Sequence, residues 1–190
     1  ENLTLDNVAT QGNFGQILMR GNLQGDAGDN VLMGNMMANE IRGGAGNDTI
    51  RGYYKLNYLS EGNNISSADL LYGEDGDDTI AAAVYGADIY GGRGNDLLIG
   101  TGGDQYNYNR SGSDRFFYEI GDGTDRIQSV NGSRDLDQVI FGQGIDPDAI
   151  TWSQDGTSLI VQVGSDPNDR LIVENYWRED MPGEYTLAKS

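Results

Sequence analysis

The hydrophobic positions of this chain keep a beat of nine. Phe14, Leu23, Leu32, Ile41, Ile50 and Leu59 follow one another at that interval, and after a gap of twelve Leu71, Ile80, Ile89 and Leu98 resume it. The rhythm then loosens through Tyr106, Phe116 and Ile127. Two positions before the beat stands an acid or its amide: Asn30, Asn39, Asp48, Asn57, Asp69, Asp78, Asp96, Asp104, Asp114 and Asp125, with the acid of the Ile89 copy displaced to Asp88. Each unit reads as a six-residue glycine turn followed by a three-residue strand. The middle side chain of the strand points inward and its neighbours outward. A unit this short cannot be a domain, so the units must stack. Two units make one coil of eighteen residues, and the turns alternate between two edges of a flattened helix.

Stacked acidic turns repel one another unless a cation lies between them. Calcium suits the arrangement, because it takes about six to eight oxygens and accepts carbonyls as readily as carboxylates, whereas magnesium holds its waters. The expected ligands are Gly43, Ala45, Asn47 and Asp48 in one turn, Gly73, Asp75, Asp77 and Asp78 in the next strong copy, and Gly91, Arg93, Asn95 and Asp96 in the third. Gly100, Gly102 and Asp104 form a further turn, and Asn30, Asn39, Asp69, Asp88, Asp114 and Asp125 are expected as ligands as well. Counting nines predicts that Asp78 stacks with Asp96 above Asn39 and Asn57, and that Asn30 stacks with Asp48 on the other edge. It also joins Asp96 to Asp114, Asp69 to Asn30 and Asp48, and Asp104 to Asp88 and Asp125. Asp135, Asp137, Asp146, Asp148 and Asp180 fall outside the frame and read as solvated acids.

Composition sharpens the picture. The net charge is −18 with 29 glycines among 190 residues. About six calcium ions, two charges each, would bring that charge to roughly −6. A surface this acidic repels nucleic acid and anionic membranes. One buried aliphatic side chain per nine ordered residues does not offset the lost chain entropy, so the metal-free chain should be disordered. The chain has no cysteine and no histidine. Disulfides, thiolate and His-ligated metals and Ser-His-Asp catalysis are therefore excluded. Carboxylate pairs can hydrolyse glycosides, but no pocket-forming segment accompanies them, so the chain does not read as an enzyme. No apolar run is long enough to span a membrane. Glu1-Asn2-Leu3-Thr4-Leu5 lacks the basic start and apolar core of a signal peptide. It reads as a strand already in register, so the chain is expected to be part of a larger protein.

The rhythm divides the chain. Residues 1–24 are degenerate rungs that lack an acid in the slot before the beat. Residues 25–130 form the regular roll, with a bulged insertion of three extra residues at 52–68 that carries Tyr53, Tyr54 and Tyr58. Residues 131–190 lose the repeat, and Val139-Ile140-Phe141, Ile150-Thr151-Trp152, Leu159 to Val163 and Arg170 to Val173 read as antiparallel strands. Asp155-Gly156 marks a hairpin between two of them.

Gly43-Gly44-Ala45-Gly46-Asn47-Asp48-Thr49-Ile50-Arg51 and Gly91-Gly92-Arg93-Gly94-Asn95-Asp96-Leu97-Leu98-Ile99 resemble the nonapeptide of the RTX (repeats-in-toxin) family. Gly73 to Ala81 and Gly25 to Met33 are weaker copies. Phe141-Gly142-Gln143-Gly144-Ile145, the Asp155-Gly156 hairpin and Asn175-Tyr176-Trp177 resemble the module flanking the last repeat block in RTX toxins such as the adenylate cyclase toxin. The resemblance implies an all-β fold: a calcium-stacked parallel β-roll followed by an antiparallel cap. It also implies a monomeric module of a bacterial protein that leaves the cell through type I secretion machinery and folds on external calcium, in the medium or at the cell surface. The alternative is an adhesin-type module in which the tyrosine-rich insertion binds a cell-surface or glycan ligand.

Overall fold

The structure, a computed structural model, describes residues 2–4, 21–35, 37–52, 68–83, 86–101, 113–130, 137–177 and 186–188. Its strands, numbered along the chain, form two sheets. The nine-stranded sheet runs β1 (Asn2–Thr4), β3 (Val31–Met33), β5 (Thr49–Arg51), β7 (Thr79–Ala81), β9 (Leu97–Thr101), β11 (Thr124–Val130), β15 (Arg170–Val173), β14 (Ser158–Val163) and β13 (Ile150–Asp155). The seven-stranded sheet runs β2 (Asn22–Gln24), β4 (Glu40–Ala45), β6 (Asp69–Asp75), β8 (Ala87–Arg93), β10 (Arg115–Tyr118), β12 (Gln138–Phe141) and β16 (Thr186–Ala188). From β2 to β11 successive strands alternate between the sheets, and neighbours within each sheet are parallel.

The aliphatic beat builds the core. Leu23, Ile41, Leu71, Ile89, Phe116 and Val139 stack in register along one sheet. Leu32, Ile50, Ile80, Leu98, Ile127 and Val173 do so along the other. All are buried, most of them completely. The strands flanking each inward residue turn their other side chains out, as in β3 and β5.

One coil departs from the count of nines. Ile50 pairs with Ile80 and Ile41 with Leu71, so the coil that contains the insertion is thirty residues long where its neighbours have eighteen. The insertion therefore adds twelve residues, not three. Leu59 and Asn57, counted above as a rung, lie outside the described residues, as do the three tyrosines of the insertion.

The segment after 137 is both roll and cap. The β12 strand, expected to be antiparallel, pairs parallel with β10 and β16, and β15 pairs parallel with β11. Among the described residues antiparallel pairing is confined to β13 with β14 and β14 with β15, with Gly156 in the left-handed region at the hairpin turn. Val139 and Val173 extend the two aliphatic stacks; that burial favours parallel pairing for β12, while β15 keeps its expected antiparallel pairing with β14 and adds a parallel one with β11.

Candidate metal centre

Along one edge of the roll the sixth residues of the turns form a ladder. The Asn30 amide donates to Asp48 Oδ1 at 2.7 Å, Asp48 to Asp78 Oδ1 at 2.7 Å, Asp78 to Asp96 Oδ1 at 2.8 Å, and Asp96 to Asp125 Oδ1 at 3.0 Å. One oxygen of each acceptor is thereby satisfied by the preceding turn. The second is not. Oδ2 of Asp48, Asp69, Asp78, Asp96 and Asp125 is buried without a hydrogen-bond partner. A buried carboxylate oxygen left unpaired is costly, and a cation or a proton is what relieves it.

The glycine frame makes room for these oxygens. A Cβ at Gly43 would collide with Asp48 Oδ2 and the Gly73 carbonyl, and one at Gly73 with Asp78 Oδ2 and the Gly91 carbonyl. The carboxylate of the glycine's own turn and a carbonyl of the next turn therefore approach the same Cα, which only glycine permits. A second ladder holds the turns in register from outside. Asn47 donates its amide to Asp29 Oδ1, Asp77 to Asn47 Oδ1, Asn95 to Asp77 Oδ1 and Thr124 to Asn95 Oδ1, at 2.8–3.2 Å. Its donors face the preceding turn, whereas those of the inner ladder face the next. Each pair of turns is thus clamped in both directions.

Burial dominates the electrostatics. It pushes the carboxyls of Asp69, Asp78 and Asp96 up to about 7 and that of Asp125 to about 8, with Asp48 raised in the same direction. Neighbouring acids add to the shift at Asp78, Asp96 and Asp125. Among the described residues no three acidic side chains converge on one point. The carboxylates are strung out one per turn, so an ion between turns must complete its shell with backbone oxygens. That donor set fits calcium. Asp48, Asp78, Asp96 and Asp125 would hold it on this edge.

The other edge carries a shorter series. The Asn39 amide donates to Asp69 Oδ1 at 2.9 Å, Ala87 to Asp114 Oδ1 at 2.8 Å, and Asp114 to Asp137 Oδ1 at 2.9 Å. Gly100 lies against this edge, beside Asp114 and Asp137. Several expected pairings change as a result. Asp78 follows Asp48, not Asn39, because the thirty-residue coil returns the chain to the same edge. Asp69 belongs with Asn39 and not with Asn30 and Asp48. Asp96 meets Asp125, while Asp114 sits on the opposite edge. Asp88 is in neither ladder: the acid slot before Ile89 holds Ala87, and Asp88 forms a bidentate pair with Arg115, whose Nε lies 2.6 Å from Oδ1. Asp104 and Gly102 lie outside the described residues.

Of the third-position residues, Ala45, Asp75 and Arg93 end β4, β6 and β8, and Arg93 lies 3.9 Å from Asp75 across the turns. Asp137, which falls outside the frame of nines and is expected to be solvated, is buried in the ladder. Its signal was legible: it stands two positions before the inward Val139, the same offset that picks out Asp48 and Asp78.

Residues 33–53, 66–83 and 88–104 match the family model of the RTX calcium-binding nonapeptide repeat, in four copies. No curated protein sequence matches the chain. Among solved structures it is similar to the extracellular lipase LipA from Serratia marcescens, at 15% identity and a TM-score of 0.40 over 89% of this chain. The chain spans 38% of the length of that protein. The segments matched by the family model contain Asp48, Asp69, Asp78 and Asp96, four of the five acids with an unpartnered buried oxygen. The chain carries RTX calcium-binding nonapeptide repeats, wound into a parallel β-roll.

Proposed function

We propose that this chain is the calcium-binding module of a larger bacterial protein exported by type I secretion machinery, and that it folds on meeting external calcium. The observation that supports this most is the row of buried, unpartnered Asp Oδ2 atoms. Without a cation, folding must bury these carboxylates unpaired or protonate them. With one, the binding free energy becomes folding free energy. A chain with 30 acidic residues and no disulfide to lock it then stays unfolded where calcium is scarce and orders where calcium is abundant. That property suits passage through a narrow channel, with the folded module placed outside the cell or at its surface. The module itself is non-catalytic in this reading, and any activity belongs to other parts of the parent protein.

Circular dichroism during a calcium titration, with magnesium as control, tests the reading. A cooperative gain of β-signal near millimolar calcium, and none with magnesium, is expected. A β-signal already complete in chelator, or at micromolar calcium, overturns the export switch.

A further inference from the structure

Five turns among the described residues fall into two classes, and the residue at position six sorts them. Where it is aspartate, in turns 43–48, 73–78 and 91–96, positions two and four adopt left-handed backbone: Gly44 and Gly46, Glu74 and Gly76, Gly92 and Gly94. In these turns Oδ2 of the aspartate is buried and unpartnered. Where it is asparagine, in turns 25–30 and 34–39, none of the described residues is left-handed. Position two there carries Asp26 or Asn35, whose Oδ1 accepts the amide two residues on, from Gly28 at 2.9 Å and from Met37 at 3.0 Å. These are Asx turns, closed by their own side chains.

The asparagine at position six completes the closure. Asn30 Oδ1 accepts the Asp26 amide at 2.7 Å, and Asn30 Nδ2 donates to Asp26 Oδ1 at 3.0 Å. Asn39 Oδ1 accepts the Asn35 amide at 2.7 Å, and its Nδ2 donates to Asn35 Oδ1 and to the Gly21 carbonyl, both at 3.1 Å. An amide nitrogen thus supplies to these oxygens what a cation supplies to a carboxylate, and it does so without net charge. Within these five turns the sequence carries the same division: Asx at position two accompanies Asn at six, whereas Gly or Glu at two accompanies Asp at six.

We propose that the Asn30 and Asn39 turns are metal-independent, with the asparagine amide in place of the ion, and that calcium loading begins at Asp48 on one edge and at Asp69 on the other. On this reading Asn30 and Asn39, expected from the spacing to be calcium ligands, close their turns instead. It gives the roll an N-terminal end whose turns are satisfied before any metal arrives. The proposal rests on the calcium reading above, and the test separates the two.

Native mass spectrometry of the full chain in calcium counts the bound ions. Asn30→Ala and Asn39→Ala should each retain the wild-type number, and loss of an ion from the folded variant overturns the proposal. The paired substitution Asp26→Gly with Asn30→Asp rebuilds the open turn and should take up one more calcium ion than wild type. No gain in that variant also overturns the proposal, and this arm decides the matter if the alanine variants do not fold. A wild-type chain that binds no calcium overturns the calcium reading itself, and the proposal with it.

Discussion

At the scale of single residues, the acid at position six does two jobs with its two oxygens. Asp78 Oδ1 accepts from the Asp48 amide, and Asp78 Oδ2 is the buried oxygen without a hydrogen-bond partner that a cation would satisfy. Asp78→Ala should therefore weaken calcium-induced folding, leaving a buried amide unpaired at a cost of about 1–3 kcal/mol and raising the calcium midpoint in a dichroism titration. Glu74 sits at φ +80, where its neighbours in the repeat have glycine. Left-handed backbone costs a side-chain-bearing residue about 1–2 kcal/mol, while its half-exposed pair with Arg42 at 3.2 Å is worth about 0–1 kcal/mol. Glu74→Gly is accordingly expected to raise the melting temperature in saturating calcium. Protons should act oppositely with and without metal. The carboxyls of Asp69, Asp78, Asp96 and Asp125 are raised on folding to between about 7 and 8. Their contribution to the metal-free fold is complete below the ordinary value of 3.8 and is lost as pH rises through that range. In chelator the chain should therefore show more β-signal at pH 5.5 than at pH 8.5, whereas in calcium acidification should raise the calcium midpoint, since protons compete for the same oxygens.

At the scale of elements, each strand contributes one inward residue and its flanks decorate the outer faces. On the seven-stranded sheet Tyr72, Tyr90 and Phe117 stack at 4.6 and 4.2 Å across β6, β8 and β10, with the Arg42 guanidinium 4.0 Å above Tyr72. Parallel, in-register pairing places identical repeat positions side by side, so a row of rings follows from the register alone. Tyr90→Ala removes both ring contacts and should cost about 1–3 kcal/mol in urea unfolding with calcium present. The inner ladder ends at β15, where Leu171 occupies the slot beside Asp125. Leu171 is buried against the core, and Leu171→Ala should cost about 2–5 kcal/mol in the same assay. The frame of nine residues, the inward beat and the acid two places before it were all legible beforehand, because each depends on contacts within one turn. The parallel pairing of β12, and the parallel edge that β15 adds to its antiparallel one, were not, since their alternation of inward and outward residues fits either direction equally well.

At the scale of the molecule, the roll tolerates coils of unequal length. The residues that bond across the Asn30–Asp48 and Asp78–Asp96 steps are eighteen apart, but those across the Asp48–Asp78 and Asp96–Asp125 steps are thirty and twenty-nine apart. Lengthening a loop adds little closure entropy. Deleting residues 54–65 should therefore leave the calcium-induced dichroism and the number of bound ions unchanged, and a collapse of the fold would show that the insertion supports the roll. The sequence by itself determined the repeat: which residues turn inward, where glycine is required, which acids share the slot before the beat, and that calcium is the ion they suit. These follow from backbone sterics and oxygen chemistry over nine residues. Only the tertiary structure decided which turns meet. The partner of Asp78 depends on how the chain closes across the insertion, the partner of Asp96 on a second long coil, and the place of Asp137 on β12 joining the sheet. Stacking rewards burial of the whole aliphatic column, and no local spacing records how many residues the chain spends between one rung and the next.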